Sequence, residues 1–213
     1  MPLDNLTSLT ISLVKQAALT GADAFADDPS TYFLIPDPGK RPNLKYAFEY
    51  YLRLSVLDRD EAYITSPQCE GMAVWAYSVS RGSLVNVLRA GWPWLPLRCG
   101  ATYIVRDFLT ERRYEKLRDE LAPKPHMYLA LLAVDPRFQG QGFASKLMKP
   151  MLKRLDSERL AAYVETQNMK NAAMYEHFGF KLVREDKMPG AGFTMYLMTR
   201  QPAPAPSATN ILL

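Results

Sequence analysis

Apolar residues recur at spacings of three and four in several parts of the chain, and this spacing is typical of amphipathic helices. It predicts helices over residues 11–25, 44–56, 144–155 and 171–178. Pro150 must distort the third of these helices, because proline lacks the N–H that an α-helix uses. Gly179 directly follows the fourth helix and suits the left-handed position that commonly ends a helix.

Other segments are rich in β-branched and aromatic residues, and they predict strands. They are residues 62–66, 71–80, 127–134, 160–165, 180–185 and 193–199. The first two are separated by a connection short enough for an antiparallel hairpin. Residues 127–134 are apolar at nearly every position, which is typical of a strand buried on both faces and therefore central in the sheet. A further strand near residues 6–10 is only weakly marked.

Two proline-containing segments interrupt these patterns. Residues 35–42 hold three prolines and a glycine, so we expect a loop there. Residues 91–96 divide a helical pattern between residues 83 and 125, which predicts a short helix, an aromatic-rich loop and a longer helix. The mixture of helices and strands predicts an α/β fold.

The composition is that of a globular protein. The chain has 213 residues, of which 48% are hydrophobic and 23% charged, and this is comfortable for one folded domain. We expect that domain to span residues 1–200. Residues 201–213 hold three prolines without a periodic apolar face, so we expect a disordered Pro/Ala-rich tail.

The charges and cysteines narrow the class of protein. Lys and Arg number 26 against 22 Asp and Glu, but the excess is spread along the chain, which favours an anionic small ligand over nucleic acid. Cys69 and Cys99 have no metal-ligand spacing, so we expect buried thiols and no metal. Neither a bilayer-spanning apolar run nor a signal-peptide pattern is present, and we expect a cytoplasmic protein without membrane contact.

The candidate chemistry lies in residues 131–145, where a predicted strand leads through a glycine-bearing loop into a helix. Gly140 and Gly142 let the backbone approach a ligand, and the start of the helix offers free N–H groups and the positive end of its dipole. Such a site suits a pyrophosphate. The loop has neither the Lys-Ser/Thr ending of a P-loop nor the dinucleotide fingerprint. A tight turn without a ligand is the structural alternative.

The surrounding residues resemble the GNAT superfamily of N-acetyltransferases. The R-x-x-G-x-G pattern of residues 137–142, after Leu-Ala-Val-Asp-Pro at residues 132–136, resembles its motif A. Glu-Thr at residues 165–166, followed by Asn171, Tyr175 and Gly-Phe at residues 179–180, resembles its motif B. Residues 71–75 and 125–129 resemble the branch that includes puromycin N-acetyltransferase-like proteins.

The resemblance implies a GNAT fold with a mixed, mostly antiparallel central sheet, splayed at the acyl-CoA site and flanked by helices. It implies acetyl-CoA as the acyl donor, without a metal. The matching cofactor-binding positions are Leu132, Ala133, Val134, Arg137, Phe138, Gln139, Gly140, Gln141, Gly142, Phe143, Ala144, Ser145 and Asn171. Among them, the amide of Leu132 would polarise the thioester carbonyl.

The resemblance also implies two catalytic residues. Tyr175 would protonate the departing thiolate, although a core aromatic is the alternative. Glu165 would accept the proton of the amine, although an ordinary ion pair is equally compatible with a carboxylate at a strand end. His126 as a base is a weaker hypothesis than a structural histidine. No Cys or Ser lies in a nucleophile motif, so we expect direct attack by the amine.

The resemblance implies a primary amine as the acceptor, approaching from the side opposite the cofactor. Trp75 and Tyr103, together with Trp92 and Trp94, are candidates for an aromatic pocket, and core packing is the alternative. Such a pocket would suit an aromatic or amphipathic small amine better than a charged peptide. A non-catalytic acyl-CoA sensor or scaffold and a protein or peptide amine acetyltransferase remain alternatives. We expect a monomer or a homodimer.

Overall fold

The computed structural model describes residue 3, residues 5–77 and residues 83–204. The strands among them are β1 (Thr7–Ser8), β2 (Glu61–Ile64), β3 (Gly71–Tyr77), β4 (His126–Val134), β5 (Ala161–Thr166), β6 (Lys181–Lys187) and β7 (Thr194–Arg200). They form one sheet in the order β1-β2-β3-β4-β5-β7-β6. Only β4 and β5 are parallel neighbours within this sheet. The mixed, mostly antiparallel sheet, its β2–β3 hairpin and its central β4 are therefore confirmed, and the weakly marked first strand is present.

The helices are α1 (Val14–Ala24), α2 (Pro29–Leu34), α3 (Leu44–Leu57), α4 (Leu84–Ala90), α5 (Leu95–Cys99), α6 (Ala101–Leu121), α7 (Phe143–Ser157) and α8 (Met169–His177). The four helices expected from periodicity correspond to α1, α3, α7 and α8. Pro150 lies inside α7, and Gly179 follows α8 with φ +86°. The expected short and longer helices of residues 83–125 correspond to α4 and α6.

The prediction that proline-containing segments are loops was wrong at two places. A 3-10 helix occupies Pro38–Asn43, and a 3-10 helix at Trp92–Trp94 leads into α5. Each of these helices has a proline at its first or second position, where the missing N–H breaks no helical hydrogen bond, and Pro42 lies inside the first of them. The same holds for α2, which begins at Pro29 behind a cap from Asp28 and was not predicted at all.

The helices cover both faces of the sheet. On one face, α7 and α8 pack on the central strands through a core that includes Trp75, Met127, Leu129, Met148, Met151, Val164 and Tyr175. On the other face, α1 and α3 pack on β2 and β3, and α6 packs on β5 and β7. β4 is less buried than its apolar sequence predicts, because alternate residues from Tyr128 onward are only half-buried.

A bulge in β4 and a gap beside it shape the centre of the sheet. Val74 of β3 pairs with Leu131, whereas Trp75 pairs with Leu129, so Ala130 is an extra residue in β4. Leu129 consequently packs beneath α7, and Leu131 packs beneath α1 and α3. Pairing of β4 with β5 ends at Leu129 and Val164. Beyond that point the sheet is open along the β5 side of β4, which is the splay expected from the resemblance.

The ends of two predicted segments lie outside the described residues. These are residues 78–80 of the expected second strand and residues 205–213 of the expected tail. Residues 201–204 form neither helix nor strand. Within the described ranges, none of the helices combines the length and the apolar character needed to cross a bilayer.

Candidate active site

Asp135 organises the connection from β4 to α7. Its carboxylate accepts a hydrogen bond from the backbone nitrogen of Arg137 at 2.9 Å, and Arg137 Nε lies 3.0 Å from Asp135 Oδ1. The hydrogen bonds from Arg137 hold the pKa of Asp135 below its usual range. The sequence pattern had not indicated a role for Asp135. An Asp before Pro136 at the start of a helical turn is nevertheless a recognisable capping pattern.

The two loop glycines adopt backbone conformations that other residues rarely take. Gly140 has φ +75° and Gly142 has φ +85°. A Cβ atom at either position would meet no other atom within 4 Å. The glycines are therefore required by the course of the backbone, and open space lies in front of them in which a ligand can be held.

The start of α7 faces the same space. No side chain caps this helix, and its first backbone hydrogen bond runs from Lys146 N to Gly142 O at 3.0 Å. The N–H groups of Phe143, Ala144 and Ser145 therefore have no acceptor within the helix. Together with the positive end of the helix dipole, they form a site suited to an anion.

These elements line a cleft of about 560 Å³. Most of the predicted cofactor-binding residues contribute to it: Leu132, Ala133, Val134, Phe138, Gln139, Gly140, Gly142, Phe143, Ala144, Ser145 and Asn171. Tyr175 lines it as well. The strand end, the glycine loop and α8 are thus brought together around one cleft.

Arg137 and Gln141 belong to the loop but are not among the residues that line the cleft. The guanidinium of Arg137 is held by Asp135, and 77% of the Arg137 side chain is exposed. Gln141 Nε2 donates a hydrogen bond to Arg137 O at 3.1 Å. Both side chains therefore stabilise the shape of the loop in this structure.

Other residues that line the cleft were not indicated by the sequence pattern. The connection between α1 and α2 contributes Phe25, Asp28 and Pro29, and α8 contributes Lys170 and Met174. Lys170 directly precedes Asn171, so its place beside motif B was an available signal. No such signal marked the residues between α1 and α2, because they lie more than a hundred residues before the glycine loop and motif B in the sequence.

Tyr175 is both a core residue and a residue of the cleft. Only 5% of it is exposed, and its ring packs against Phe180 with ring centres 5.7 Å apart. Burial raises the pKa of Tyr175 well above the ordinary tyrosine value of 10.0. The phenol consequently holds its proton at neutral pH and can only donate.

Glu165 lies on the face of the sheet opposite α7 and α8. It directly follows Val164, the last residue of β5 that pairs with β4, so it stands where the sheet opens. Tyr128 Oη donates to Glu165 Oε2 at 3.3 Å, and Arg118 Nη1 lies 3.6 Å from Glu165 Oε1. Burial raises the pKa of Glu165 to about 7, although Arg118 opposes this shift. The carboxylate therefore has both an ion pair and a pKa suited to proton transfer.

The aromatic candidates for an acceptor pocket are not grouped around the cleft. Trp75 is 1% exposed beneath α7, and Tyr103 is 7% exposed in a core with Leu95 and Cys99. Trp92 and Trp94 are surface residues. His126 is buried at the other end of β4 from the cleft, with Nδ1 2.8 Å from Pro123 O.

The two cysteines are free and buried, as expected. Among the residues that the structure describes, no group of three or more His, Cys, Asp or Glu is placed to hold a metal ion.

Part of the chain matches a known family, and most of it matches one relative. Residues 101–180 match the model of the Acetyltransferase (GNAT) family. An uncharacterized N-acetyltransferase of Schizosaccharomyces pombe is 28% identical over 178 residues, which cover 78% of this chain and 70% of that protein.

Solved structures share the fold. A crystal structure described as histone acetyltransferase HPA2 and related acetyltransferase, from Corynebacterium glutamicum, has a TM-score of 0.67 at 20% identity, covering 97% of this chain and 99% of that one. An agmatine N-acetyltransferase has a TM-score of 0.56 at 13% identity, with 93% and 100% covered. The NatC complex bound to a Gag peptide and CoA has a TM-score of 0.50 at 15% identity, with 92% and 96% covered.

These matches do not separate the puromycin N-acetyltransferase-like branch from the rest of the superfamily, so that assignment stays a prediction. The match over residues 101–180, the Schizosaccharomyces pombe relative and the shared fold support an acyltransferase enzyme with the GNAT fold.

Proposed function

We propose that this enzyme binds acetyl-CoA in the cleft and transfers the acetyl group directly to a primary amine of a small molecule. The observation that carries the proposal is the placement of the two candidate catalytic residues around the opening of the sheet. Tyr175 lines the cleft on one face, and Glu165 stands on the opposite face where pairing of β4 with β5 ends. The donor and the acceptor can therefore meet from opposite faces.

The cleft offers each part of acetyl-CoA a matching surface. The free N–H groups at the start of α7 and the space before Gly140 and Gly142 suit the pyrophosphate. The β5 side of β4, from Ala130 onward, has no strand partner and can hydrogen-bond the amides of the pantetheine arm. Bound in this way, acetyl-CoA supplies an activated acyl group at the opening of the sheet.

The reaction is a direct acyl transfer. The amine nitrogen attacks the thioester carbonyl carbon, an N–C bond forms and the C–S bond breaks. Leu132 lines the cleft, and its backbone N–H can stabilise the negative charge that develops on the carbonyl oxygen. The loss of one such donor costs about 3 kcal/mol in other acyl-transfer sites.

Two side chains handle the protons. Glu165, with its pKa near 7, takes the proton that leaves the attacking amine. Tyr175 donates a proton to the departing thiolate, because it lies in the cleft and its phenol is protonated at neutral pH. The two transfers take place on opposite faces of the sheet, so neither residue obstructs the substrate of the other.

Incubation of the purified protein with acetyl-CoA and a panel of small primary amines tests the proposal. We expect amine-dependent release of free thiol and an acetylated product by mass spectrometry. Tyr175→Phe should bind acetyl-CoA normally and turn over at least about 100-fold more slowly. Acetyl-CoA binding without thiol release from any amine would favour the sensor, and acetylation of basic peptides alone would favour the peptide enzyme.

A further inference from the structure

Two segments that line the cleft are joined by hydrogen bonds, although they are distant in sequence. Gln167 lies between β5 and α8, and its Nε2 atom donates to Asp28 Oδ1 at 2.6 Å and to Ser30 Oγ at 2.7 Å. Asp28 and Ser30 lie at the start of α2, which is 139 and 137 residues earlier in the chain. We call these three residues the clasp.

The clasp lies beside the cleft. Asp28 and its neighbours Asp27 and Pro29 line the cleft, and so does Asn168, which directly follows Gln167. Gln167 itself is half-buried and is not among the residues that line the cleft. Its hydrogen bonds therefore fix the position of one lining segment relative to the other, while its side chain leaves the cleft itself free.

The two joined segments belong to different sides of the opening in the sheet. Pairing of β4 with β5 ends at Leu129 and Val164, three residues before Gln167. The Asp28 segment follows α1, which packs against β3 and β4. Gln167 precedes α8, which packs against β5, β6 and β7. Beyond the last β4–β5 pair, the clasp is therefore a direct link between the part of the molecule that includes β4 and the part that includes β5.

Asp28 also has a structural role that the Gln167 side chain does not share. Asp28 Oδ1 accepts hydrogen bonds from Ser30 N at 2.9 Å and from Ser30 Oγ at 2.7 Å, and the first of these caps α2. The other helix has its own cap, because Asn168 Oδ1 accepts from Lys170 N at 2.9 Å. Both helices consequently keep their caps when Gln167 is replaced. What Gln167 adds is the link between the two segments.

The chemistry of the clasp makes this link a strong one. The amide of Gln167 donates to the carboxylate of Asp28, and hydrogen bonds to charged acceptors are shorter and stronger than those between neutral groups. Both side chains are half-buried, so water competes less for this hydrogen bond than it would at an exposed position. The contact is therefore able to hold the Asp28 segment in place beside the cleft.

From this geometry we propose that Gln167 is a positioning residue, which holds the Asp28 segment against bound acetyl-CoA and so retains the donor in the cleft. The proposal rests on the proposed function, because it takes acetyl-CoA as the occupant of the cleft. Phe25 and Pro29, on the same connection as Asp28, line the cleft and offer the ligand an apolar surface. When Gln167 releases Asp28, this segment can move away from the ligand, and dissociation becomes faster.

Replacement of Gln167 by leucine tests the proposal, because leucine is similar in size but has no hydrogen-bond donor. Surface plasmon resonance with immobilised protein gives the rate constant for dissociation of acetyl-CoA. We expect Gln167→Leu to release acetyl-CoA about tenfold faster than the wild type, as for the loss of a hydrogen bond to a charged group. Ser30→Ala should have a smaller effect, and adding it to Gln167→Leu should change little, because both substitutions act through one contact.

An exchange of the donor and the acceptor provides a rescue. Gln167→Glu alone sets a second carboxylate beside Asp28, and it should release acetyl-CoA at least as fast as Gln167→Leu. Asp28→Asn combined with Gln167→Glu places the donor on residue 28 and the acceptor on residue 167, and asparagine can still cap α2. Dissociation from this exchanged pair should slow again toward the wild-type rate. A general loss of stability would not be reversed in this way.

Gln16→Leu is the matched control, because Gln16 is an exposed residue of α1 and is not among the residues that line the cleft. It should leave the dissociation rate unchanged, and the melting temperature of each variant establishes that it is folded. Dissociation from Gln167→Leu at the wild-type rate, or no recovery in the exchanged pair, would overturn the role of the clasp and leave acetyl-CoA binding standing. No binding of acetyl-CoA to the wild type would contradict the proposed function, and the clasp with it.

Discussion

At the scale of single residues, the pKa of Glu165 gives the sharpest prediction. Below about pH 7 its carboxyl group is protonated and cannot accept the proton of the amine. The rate advantage of the wild type over Glu165→Gln should therefore be large above pH 7 and shrink as pH falls through 7. The measurement is kcat/KM against pH for both proteins with one acceptor, since the ionisation of the acceptor cancels in their ratio.

A constant ratio across this range would show that Glu165 is not the base. The raised pKa of Glu165 also affects stability, and there the ionised form is the unfavourable one. Because the folded pKa of Glu165 exceeds its ordinary value of 4.5, ionisation of this group lowers stability as pH rises through about 7.

Residue identities in the site were more predictable than side-chain directions. Gly140, Gly142, Asn171 and Tyr175 line the cleft, because their spacing relative to a strand and two helices fixes their positions. The direction of Arg137 was not predictable, since it depends on the contact with Asp135. The partners of Glu165 were equally hidden, because they come from α6 and β4.

At the scale of elements, Asp156 fastens the end of α7 to the end of β7. Its carboxylate receives two hydrogen bonds from Arg200, at 2.7 and 2.8 Å, and one from Ala203 N at 2.8 Å. Hydrogen bonds from Arg200 lower the pKa of Asp156. We expect Asp156→Asn to lower the free energy of unfolding at pH 7 by about 1–2 kcal/mol, as measured by urea denaturation.

The sign of its pH dependence follows from the lowered pKa. The contribution of Asp156 is complete above the ordinary pKa of 3.8 and is lost as pH falls through the lower folded value. Wild type and variant should therefore converge in acid. Asp119→Asn, at an exposed ion pair, should change stability little at any pH. An equal loss in both variants would contradict the assigned role of Asp156.

The type of each element was predictable where the apolar periodicity was strong, but the predictions failed at prolines. The segments that became α3, β4 and α7 carry long, regular apolar patterns. Around Pro29 and Pro38 the chain forms helices because each proline stands at a helix start behind an Asp cap. The proline was treated as a helix breaker, although the Asp before it was the signal of a start.

At the scale of the whole molecule, the cleft and the surroundings of Glu165 join parts of the chain that are far apart in sequence. The cleft combines the β4–α7 connection and α8 with the link between α1 and α2. The surroundings of Glu165 in β5 combine α6 with β4. Sequence motifs indicated part of the cleft, because the β4–α7 connection is one continuous segment of the chain. The surroundings of Glu165 have no local motif, since Arg118 and Tyr128 are far from Glu165 in sequence.

The central claim is that acetyl-CoA occupies the cleft in front of the glycine loop. Gly140 and Gly192 form a matched pair, with φ +75° and +74° and with no atom within 4 Å of an added Cβ. Alanine at either position should cost a similar backbone strain of about 1–2 kcal/mol, but only Gly140 lines the cleft. The direct measurement is calorimetric titration of acetyl-CoA into wild type, Gly140→Ala and Gly192→Ala. We expect acetyl-CoA to bind at one site per chain. Its affinity should be unchanged in Gly192→Ala and at least about tenfold weaker in Gly140→Ala. No binding to the wild type, or equal affinities for the two variants, would contradict the account.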